Sequence, residues 1–424
     1  MFYNFRLALL ALPILLFLRM LVRSQGPRYK AALTALVVVL DLILLFNLGR
    51  GIYATFTKPP EWDFLTFWVD GQVAAKGENF YDAANYQKID LPYPPDEEFV
   101  KEILDVGFRY PPFTMFLFLP LGRLAYTQAY IFWQLMNVLL CLMCAGLLWD
   151  LFLRNEGASG FYFSLAMLLL LRATFSTLFY AQTNFIALMV FLLFWKFRDQ
   201  KWSGVFLALG ILVKPFLALV LLYPIFTRRW KQLFIPMISL AVLTLISGLL
   251  FGFDVINSYV SGNSLGNMPP YVYSEPVNQS LLSWVLRTPF ISQSSGSLLF
   301  QPVYILGALM LAAVTFIVGI RNYRQENWLL LSILFFAFCV YPATLEHYGV
   351  FLIIPILLLL QAPGQTIRDQ LLVFIVVILV YLLSGYNFGY YAFFANIFIW
   401  LICISFELQI KLLKLSYPAA NFPG

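Results

Sequence analysis

The sequence predicts an all-α integral membrane protein: one bundle of about a dozen transmembrane segments, several of them short or broken, with two large outer loops. Three observations predict it. Hydrophobic residues make up 61% of the 424 residues and charged residues 11%, with a mean hydropathy of +0.81. A soluble domain of this size cannot hide that much apolar surface. From Arg154 onward the apolar stretches are also separated alternately by two kinds of break. One kind is basic, at Arg154, Lys196/Arg198/Lys201, Arg228/Arg229/Lys231, Arg321/Arg324, Arg368 and Lys411/Lys414. The other is polar, at Tyr180-Ala181-Gln182-Thr183-Asn184, Lys214-Pro215, Glu346-His347 and Tyr386-Asn387. Basic loops stay cytoplasmic, so the polar breaks are expected to meet on the outer side. Ionisable groups are costly at membrane depth, and a cluster of them marks a candidate functional site.

The elements follow in order. Leu7 to Leu18 is apolar and is followed by Arg19, Arg23, Arg28 and Lys30 without a small-residue cleavage site. It reads as an interfacial or short anchoring helix rather than a removed leader, with a true span as the alternative. Ala31–Gly49 is the first span, leaving the cytoplasm. The first outer loop, residues 50–110, is rich in Asp, Glu, Pro and Tyr. The run Pro112 to Leu124 reads as interfacial or re-entrant, and Thr127 to Phe152 returns to the basic side. Phe161–Leu178 then goes up, Phe185–Phe197 down, Ser203–Val213 up, Phe216–Phe226 down and Phe234–Phe251 up into the second outer loop, residues 252–298. Leu299–Ile320 comes down, Trp328–Tyr341 up, Gly349–Leu360 down, Asp369–Ser384 up and Ala392–Leu413 down.

Several segments are shorter than the roughly 20 residues that cross the hydrocarbon as a helix. Paired short helices around a polar turn are tolerated where they line a cavity. An outward-facing cavity is therefore expected, with Gln182, Asn184, Lys214, Glu346 and His347 on its wall and the two outer loops over it. No linker divides the chain, so residues 1–424 read as a single domain. The net charge of +6 is accounted for by basic loops facing solvent and lipid headgroups, which makes membrane lipids partners and requires no nucleic acid. Cys141 and Cys144 form a CxxC pattern inside an apolar run, where packing accounts for them better than redox or metal chemistry.

Asp63 opens the first outer loop between Trp62 and Phe64. It can be a general base with an environment-tuned pKa, or it can cap the helix that begins at Phe64. Lys214 lies within an apolar run beside a helix-breaking proline. A desolvated ammonium there calls for a phosphate or carboxylate; snorkelling to an interface is the alternative, and Arg172 poses the same choice. His347, the one histidine of the chain, sits beside Glu346 at an outer break and is either functional or a satisfied structural group. One histidine and scattered cysteines supply no zinc ligand set. In the second loop, Asn278-Gln279-Ser280 followed by Arg287 suits recognition of a hydroxylated ligand and a phosphate, although the tripeptide also matches a glycosylation sequon.

With these residues in place, the chain resembles the GT-C glycosyltransferases that use polyprenol-phosphate sugars, in particular glycosyltransferase family 87, which includes mannosyltransferases and related arabinofuranosyltransferases. The resemblance runs from about Trp62 to Pro355. It is carried by Trp62-Asp63-Phe64, Gly77-Glu78-Asn79-Phe80-Tyr81-Asp82, Arg109-Tyr110-Pro111-Pro112, Ala181-Gln182-Thr183-Asn184, Lys214-Pro215 ending at Arg228-Arg229-Trp230, Asn278-Gln279-Ser280 with Arg287, and His347. Ala181 stands where the family more often has Gly, and Tyr341 to Leu345 replaces a usual Trp upstream of the histidine. The resemblance implies a polyprenyl-phosphate-linked sugar donor, most often mannose, and a glycolipid or glycan acceptor on the outer face of the cell membrane. It maps the catalytic aspartate to Asp63 and implies that Lys214, Arg287 and His347 bind the donor phosphate. Arg109, Tyr110, Gln182, Asn184, Asn278, Gln279 and Glu346 would then contact substrate. No cofactor or metal is implied. A membrane transporter or lipid-linked-sugar flippase is the alternative, since broken half-helices around a polar cavity also serve transport. A further alternative is a ligase that uses a lipid diphosphate.

Overall fold

The computed structural model describes residues 11–17, 19, 27–57, 63–86, 88–89, 91, 107–261, 273–288, 302–322, 325–361, 367–383 and 389–407. Glu61, Trp62, Tyr386, Asn387 and residues 262–272 and 289–298 of the second loop lie outside them, as do Arg324, Lys411 and Lys414. The helices in chain order are α1 (Pro27–Thr57), α2 (Asp63–Ala75), α3 (Tyr126–Leu148), α4 (Ala158–Leu170), α5 (Arg172–Phe179), α6 (Asn184–Lys196) and α7 (Gly204–Val213). They continue with α8 (Pro215–Phe226), α9 (Trp230–Phe251), α10 (Phe253–Ser261), α11 (Leu281–Leu286), α12 (Pro302–Asn322), α13 (Glu326–Val340), α14 (Glu346–Gln361), α15 (Ile367–Leu383) and α16 (Gly389–Glu407). The first turns of α8 and α14 are 3₁₀. Among the described residues the β-type pairing is limited to one bridge, Asn278 to Leu345.

The protein is all-α and suited to a membrane. Among the described residues four stretches are long and apolar enough to cross one, Lys30–Arg50, Tyr126–Glu156, Trp230–Phe251 and Pro302–Arg321, and the bent pair α4–α5 makes a fifth. Their outer faces carry exposed Leu42, Phe46, Leu249, Leu250, Leu309 and Met310. So large an apolar surface is tolerable against lipid and not against water. α13 and α14, in contrast, are buried nearly all round, which is how a helix with no polar face is accommodated inside a bundle.

Two expected boundaries differ. α1 runs through the expected loop start at Arg50 as far as Thr57, because nothing breaks the helix until Pro59-Pro60 restricts the preceding residues. The expected single run Phe161–Leu178 is bent by 69° between α4 and α5. Leu171 at the bend is extended (φ −66°, ψ 131°), without the proline or glycine that would announce it. The freed Leu168 carbonyl accepts the Thr174 hydroxyl at 2.6 Å, so the break leaves no orphan there.

α6 and α8 run from a polar break to a basic one, and α13 runs from a basic break back to a polar one. At the basic ends the charges are paired. Glu326 accepts from Arg229 and from the Tyr223 hydroxyl, both at 2.7 Å, with Arg198 at 3.6 Å. Lys196 meets Asp150 at 2.7 Å and Arg229 meets Asp199 at 2.9 Å. At least part of the basic rim is thus an internal ionic clasp, in addition to any headgroup contact.

The expected interfacial run Pro112 to Leu124 is a chain of short turns, Pro112–Thr114, Met115–Phe118 and Leu121–Arg123, packed on α2. Phe67 stacks on Phe118 with ring centroids 4.5 Å apart, and the Trp68 indole donates to the Leu124 carbonyl at 3.0 Å. Gly71 and Gly122 bring the two backbones into direct contact: a Cβ on Gly71 would lie 2.5 Å from the Phe118 carbonyl oxygen. This contact fixes the position of α2 and of Asp63 at its first residue.

Candidate active site

Four residues from separate parts of the chain form one hydrogen-bonded group. Asp63 begins α2, where the unpaired N–H groups of the first turn favour a carboxylate. Its Oδ2 accepts a hydrogen bond from Gln182 Nε2. Gln182 Oε1 accepts the Tyr110 hydroxyl at 3.0 Å and Lys214 Nζ at 3.2 Å. Lys214 also donates to the Tyr110 oxygen at 3.0 Å. Its ammonium lies 4.5 Å from the Tyr348 ring centroid and 5.0 Å from that of Tyr110, so aromatic faces supply what water would otherwise give a buried cation. Lys214 is 1% exposed and held by these groups at the extended residue between α7 and α8, which is not a snorkelling geometry.

The backbone before Gln182 is a tight turn. Ala181 is left-handed at φ 51°, a conformation that favours glycine, which explains the family's usual residue there. Gln182 N–H donates to the Thr177 carbonyl at 2.8 Å, and the Trp133 indole donates to the Ala181 carbonyl at 2.6 Å. Asn184, buried at the start of α6, donates to the Thr177 hydroxyl at 3.3 Å, so its amide helps brace the turn.

Glu346 and His347 begin α14 and pack against α5. Glu346 accepts the Ser176 hydroxyl at 2.6 Å and has the Arg172 guanidinium 3.9 Å away. Arg172 therefore has an acidic partner within the protein. His347 is buried beside the rings of Tyr180 and Tyr348, with centroids 6.4 and 5.1 Å away, and its Nε2 has no hydrogen-bond partner. It shares this wall with Lys214 through Tyr348. Arg109 lies half-buried next to Tyr110.

The second-loop motif is built differently. Asn278 Nδ2 donates to the Pro342 carbonyl at 2.8 Å, and its Oδ1 accepts from Ser280 N–H at 3.1 Å. Gln279 N–H donates to the Thr344 carbonyl at 2.6 Å, while Ser280 caps α11 by accepting from Ser283 N–H. Arg287 donates to the carbonyls of Asn278 at 3.0 Å and Ser283 at 3.2 Å. Asn278 thus holds the turn that leads into His347, and Gln279 is buried beside it. Trp133, Ser176 and Tyr348 join the site without having stood out in the sequence. Ser176 and Thr177 interrupt an apolar helix, and that is the signal that could have found the first pair of contacts.

A family model for glycosyltransferase family 87 matches residues 108–355, more than half of the chain. The chain belongs to glycosyltransferase family 87. The matched stretch takes in Tyr110, Gln182, Lys214, Asn278, Arg287 and His347 and begins after Asp63. No curated protein and no solved structure matches the chain. Membership makes the protein a membrane glycosyltransferase, with a sugar donor and an acceptor as its substrates. The family 87 segment also covers α5 through the first turns of α14, the part in which the polar breaks come together.

Proposed function

We propose that the protein transfers a sugar, mannose by family usage, from a polyprenyl-phosphate donor to a glycolipid or glycan acceptor on the outer face of the membrane, with inversion. The observation that carries this is the group Asp63–Gln182–Tyr110–Lys214, which holds a carboxylate and an ammonium close together without joining them in an ion pair. Asp63 takes the proton of the acceptor hydroxyl as its oxygen attacks the anomeric carbon. The bond from that carbon to the phosphate oxygen breaks, and the electron pair leaves with polyprenyl phosphate. Negative charge grows on the phosphate, where Lys214 is placed to offset it. His347 with its free Nε2, and Arg287, are the further groups proposed to face the phosphate. Arg109, Tyr110, Asn184, Gln279 and Glu346 are proposed to shape the sugar and acceptor sites.

The test is transfer from radiolabelled polyprenyl-phosphate-mannose to a membrane lipid extract in nanodiscs, comparing wild type with Asp63→Asn. Labelled product is expected from wild type, with at least a hundredfold loss in the variant, the general-base contribution being about 10²- to 10⁴-fold. Wild-type rates in Asp63→Asn would exclude the assigned base. Movement of the donor across vesicles without product would favour the transporter alternative.

A further inference from the structure

We propose that Gln182 is a positioning residue, a neutral spacer that orients Asp63 through Nε2 and keeps Lys214 out of an ion pair with it, rather than a group that binds sugar. This rests on the assignment of Asp63 and Lys214 made above.

The orientation of the amide follows from its partners. Lys214 can only donate hydrogen bonds, so the atom it meets at 3.2 Å is the amide oxygen. The nitrogen then faces Asp63, whose carboxylate accepts. Tyr110 adds direction, accepting from Lys214 and donating to the same Gln182 oxygen. Every donor therefore points from the ammonium toward the carboxylate. The side chain is also not free to turn to a ligand. Gln182 is 4% exposed, and its backbone is tied to Thr177 just after the left-handed Ala181, whose carbonyl takes the Trp133 indole. Both ends of the amide are used within the protein.

The spacer has a chemical purpose. A lysine four methylenes long, buried beside a carboxylate, closes onto it unless something stands between. The closed pair would occupy the base and remove the cation from the phosphate together. A neutral amide separates the charges and still gives each a hydrogen bond. The charged and titratable groups facing Asp63 include Lys214, Tyr110 and Tyr348, and Gln182 stands between Asp63 and Lys214.

The experiment reads the Asp63 carboxyl directly and needs no turnover. The full chain in nanodiscs is titrated by infrared difference spectroscopy, with the Asp63 carboxyl band assigned by its loss in Asp63→Asn. Gln182→Glu keeps the shape but places a second carboxylate against Asp63, and the Asp63 midpoint is expected to rise by about one pH unit or more. Gln182→Met is compared in a Lys214→Met background, so that no freed ammonium can move onto the carboxylate. Loss of the donated hydrogen bond alone is there expected to raise the midpoint relative to Lys214→Met, again by about one pH unit. An unchanged Asp63 midpoint in whichever of these variants is recovered folded overturns the proposal. So does Gln182→Glu with an unchanged kcat and a raised KM, which would make Gln182 a sugar contact. A failure of the Asp63 base assignment is seen separately, as wild-type transfer by Asp63→Asn, and a failure of the glycosyl-transfer assignment as donor movement without labelled product in wild type.

Discussion

Gly71→Ala should inactivate the enzyme without touching any polar group. The added Cβ would lie 2.5 Å from the Phe118 carbonyl oxygen and 3.2 Å from the Gly122 nitrogen. Ordinary contact begins at 3.4 Å, so α2 and the turn below it must part by about 1 Å. Both obstructing atoms are backbone, and no side chain can swing aside to absorb the strain. Relief comes only by moving α2, a helix of 13 residues that carries Asp63 at its other end. Eight residues separate Gly71 from Asp63, about 12 Å along the axis, and a stiff helix transmits the shift over that length. Overpacking of this kind costs about 1–3 kcal/mol, which leaves the bundle folded. With Asp63 as the proposed base, a displacement of about 1 Å costs about a hundredfold in rate. The assay is glycosyl transfer in nanodiscs with melting temperature measured alongside. Gly49→Ala on α1, where an added Cβ meets nothing within 4 Å, is the control and should keep full activity. Wild-type transfer by Gly71→Ala would refute the argument that the α2 contact places Asp63.

Ala181→Gly should retain transfer, since it relieves a left-handed residue. Ala181→Val should lower it at least tenfold together with the melting temperature, because a β-branched residue resists positive φ. Asn278→Ala should reduce the melting temperature rather than raise the donor KM alone, since the lost amide leaves the Pro342 carbonyl with one partner fewer, a change worth about 1–3 kcal/mol. A KM effect with unchanged melting would instead mark Asn278 as a substrate contact. Asp70 is fully buried in the lobe built around α2, and burial pushes its carboxyl well above the ordinary value, only partly opposed by the Tyr86 hydroxyl. A raised carboxyl pKa makes folding most favourable below the unfolded value near 3.8, with stability lost as pH rises toward the folded value. Asp70→Asn should therefore melt higher than wild type at pH 7, with the gap narrowing by about 1.4 kcal/mol per pH unit on acidification. A gap independent of pH between 5 and 7 would show that Asp70 is ionised in the folded lobe.

Much of the site was legible because the bundle repeats one rule. Breaks rich in Gln, Lys, Glu and His alternated with breaks rich in Arg and Lys, and helices joining them had to bring like breaks together. Gln182 and Lys214 accordingly meet, and Glu346-His347 lies on the same wall. The role of single side chains was less legible. An amide reads as a ligand-binding group whether its partners are inside or outside the protein, so the partners that Asn278 and Gln182 have within the protein left no mark in the sequence. The bend at Leu171 was hidden because its carbonyls are satisfied by Thr174 and its position is secured by tertiary contacts, neither of which leaves a local mark. Trp133 looked like any aromatic residue of an apolar span, although Gln134 and Asn137 beside it are polar and buried. Gln134 donates to the Leu178 carbonyl at 2.7 Å, which is how this face of α3 supports the turn ahead of Gln182.

The two ends of α6, α8 and α13 favour an enzyme over a transporter. Alternating access needs a path that can open toward either side, commonly through half-helices related by an internal repeat. Here the polar ends carry the Lys214 ammonium and the Gln182 amide that holds it apart from the Asp63 carboxylate of α2. The basic ends are closed by Glu326 with Arg229, Arg198 and Tyr223, and by Asp150 with Lys196. α6 has 13 residues, so this clasp lies about 20 Å from Gln182. Opening a path through it would separate several partly buried charge pairs together, each worth less than the about 3–5 kcal/mol of a fully buried pair, but with those of Glu326 acting in one network. Glycosyl transfer asks for no such opening. It needs a base, a cation some ångströms away to receive the phosphate, and a rigid floor beneath both, and the ionic clasp supplies that floor.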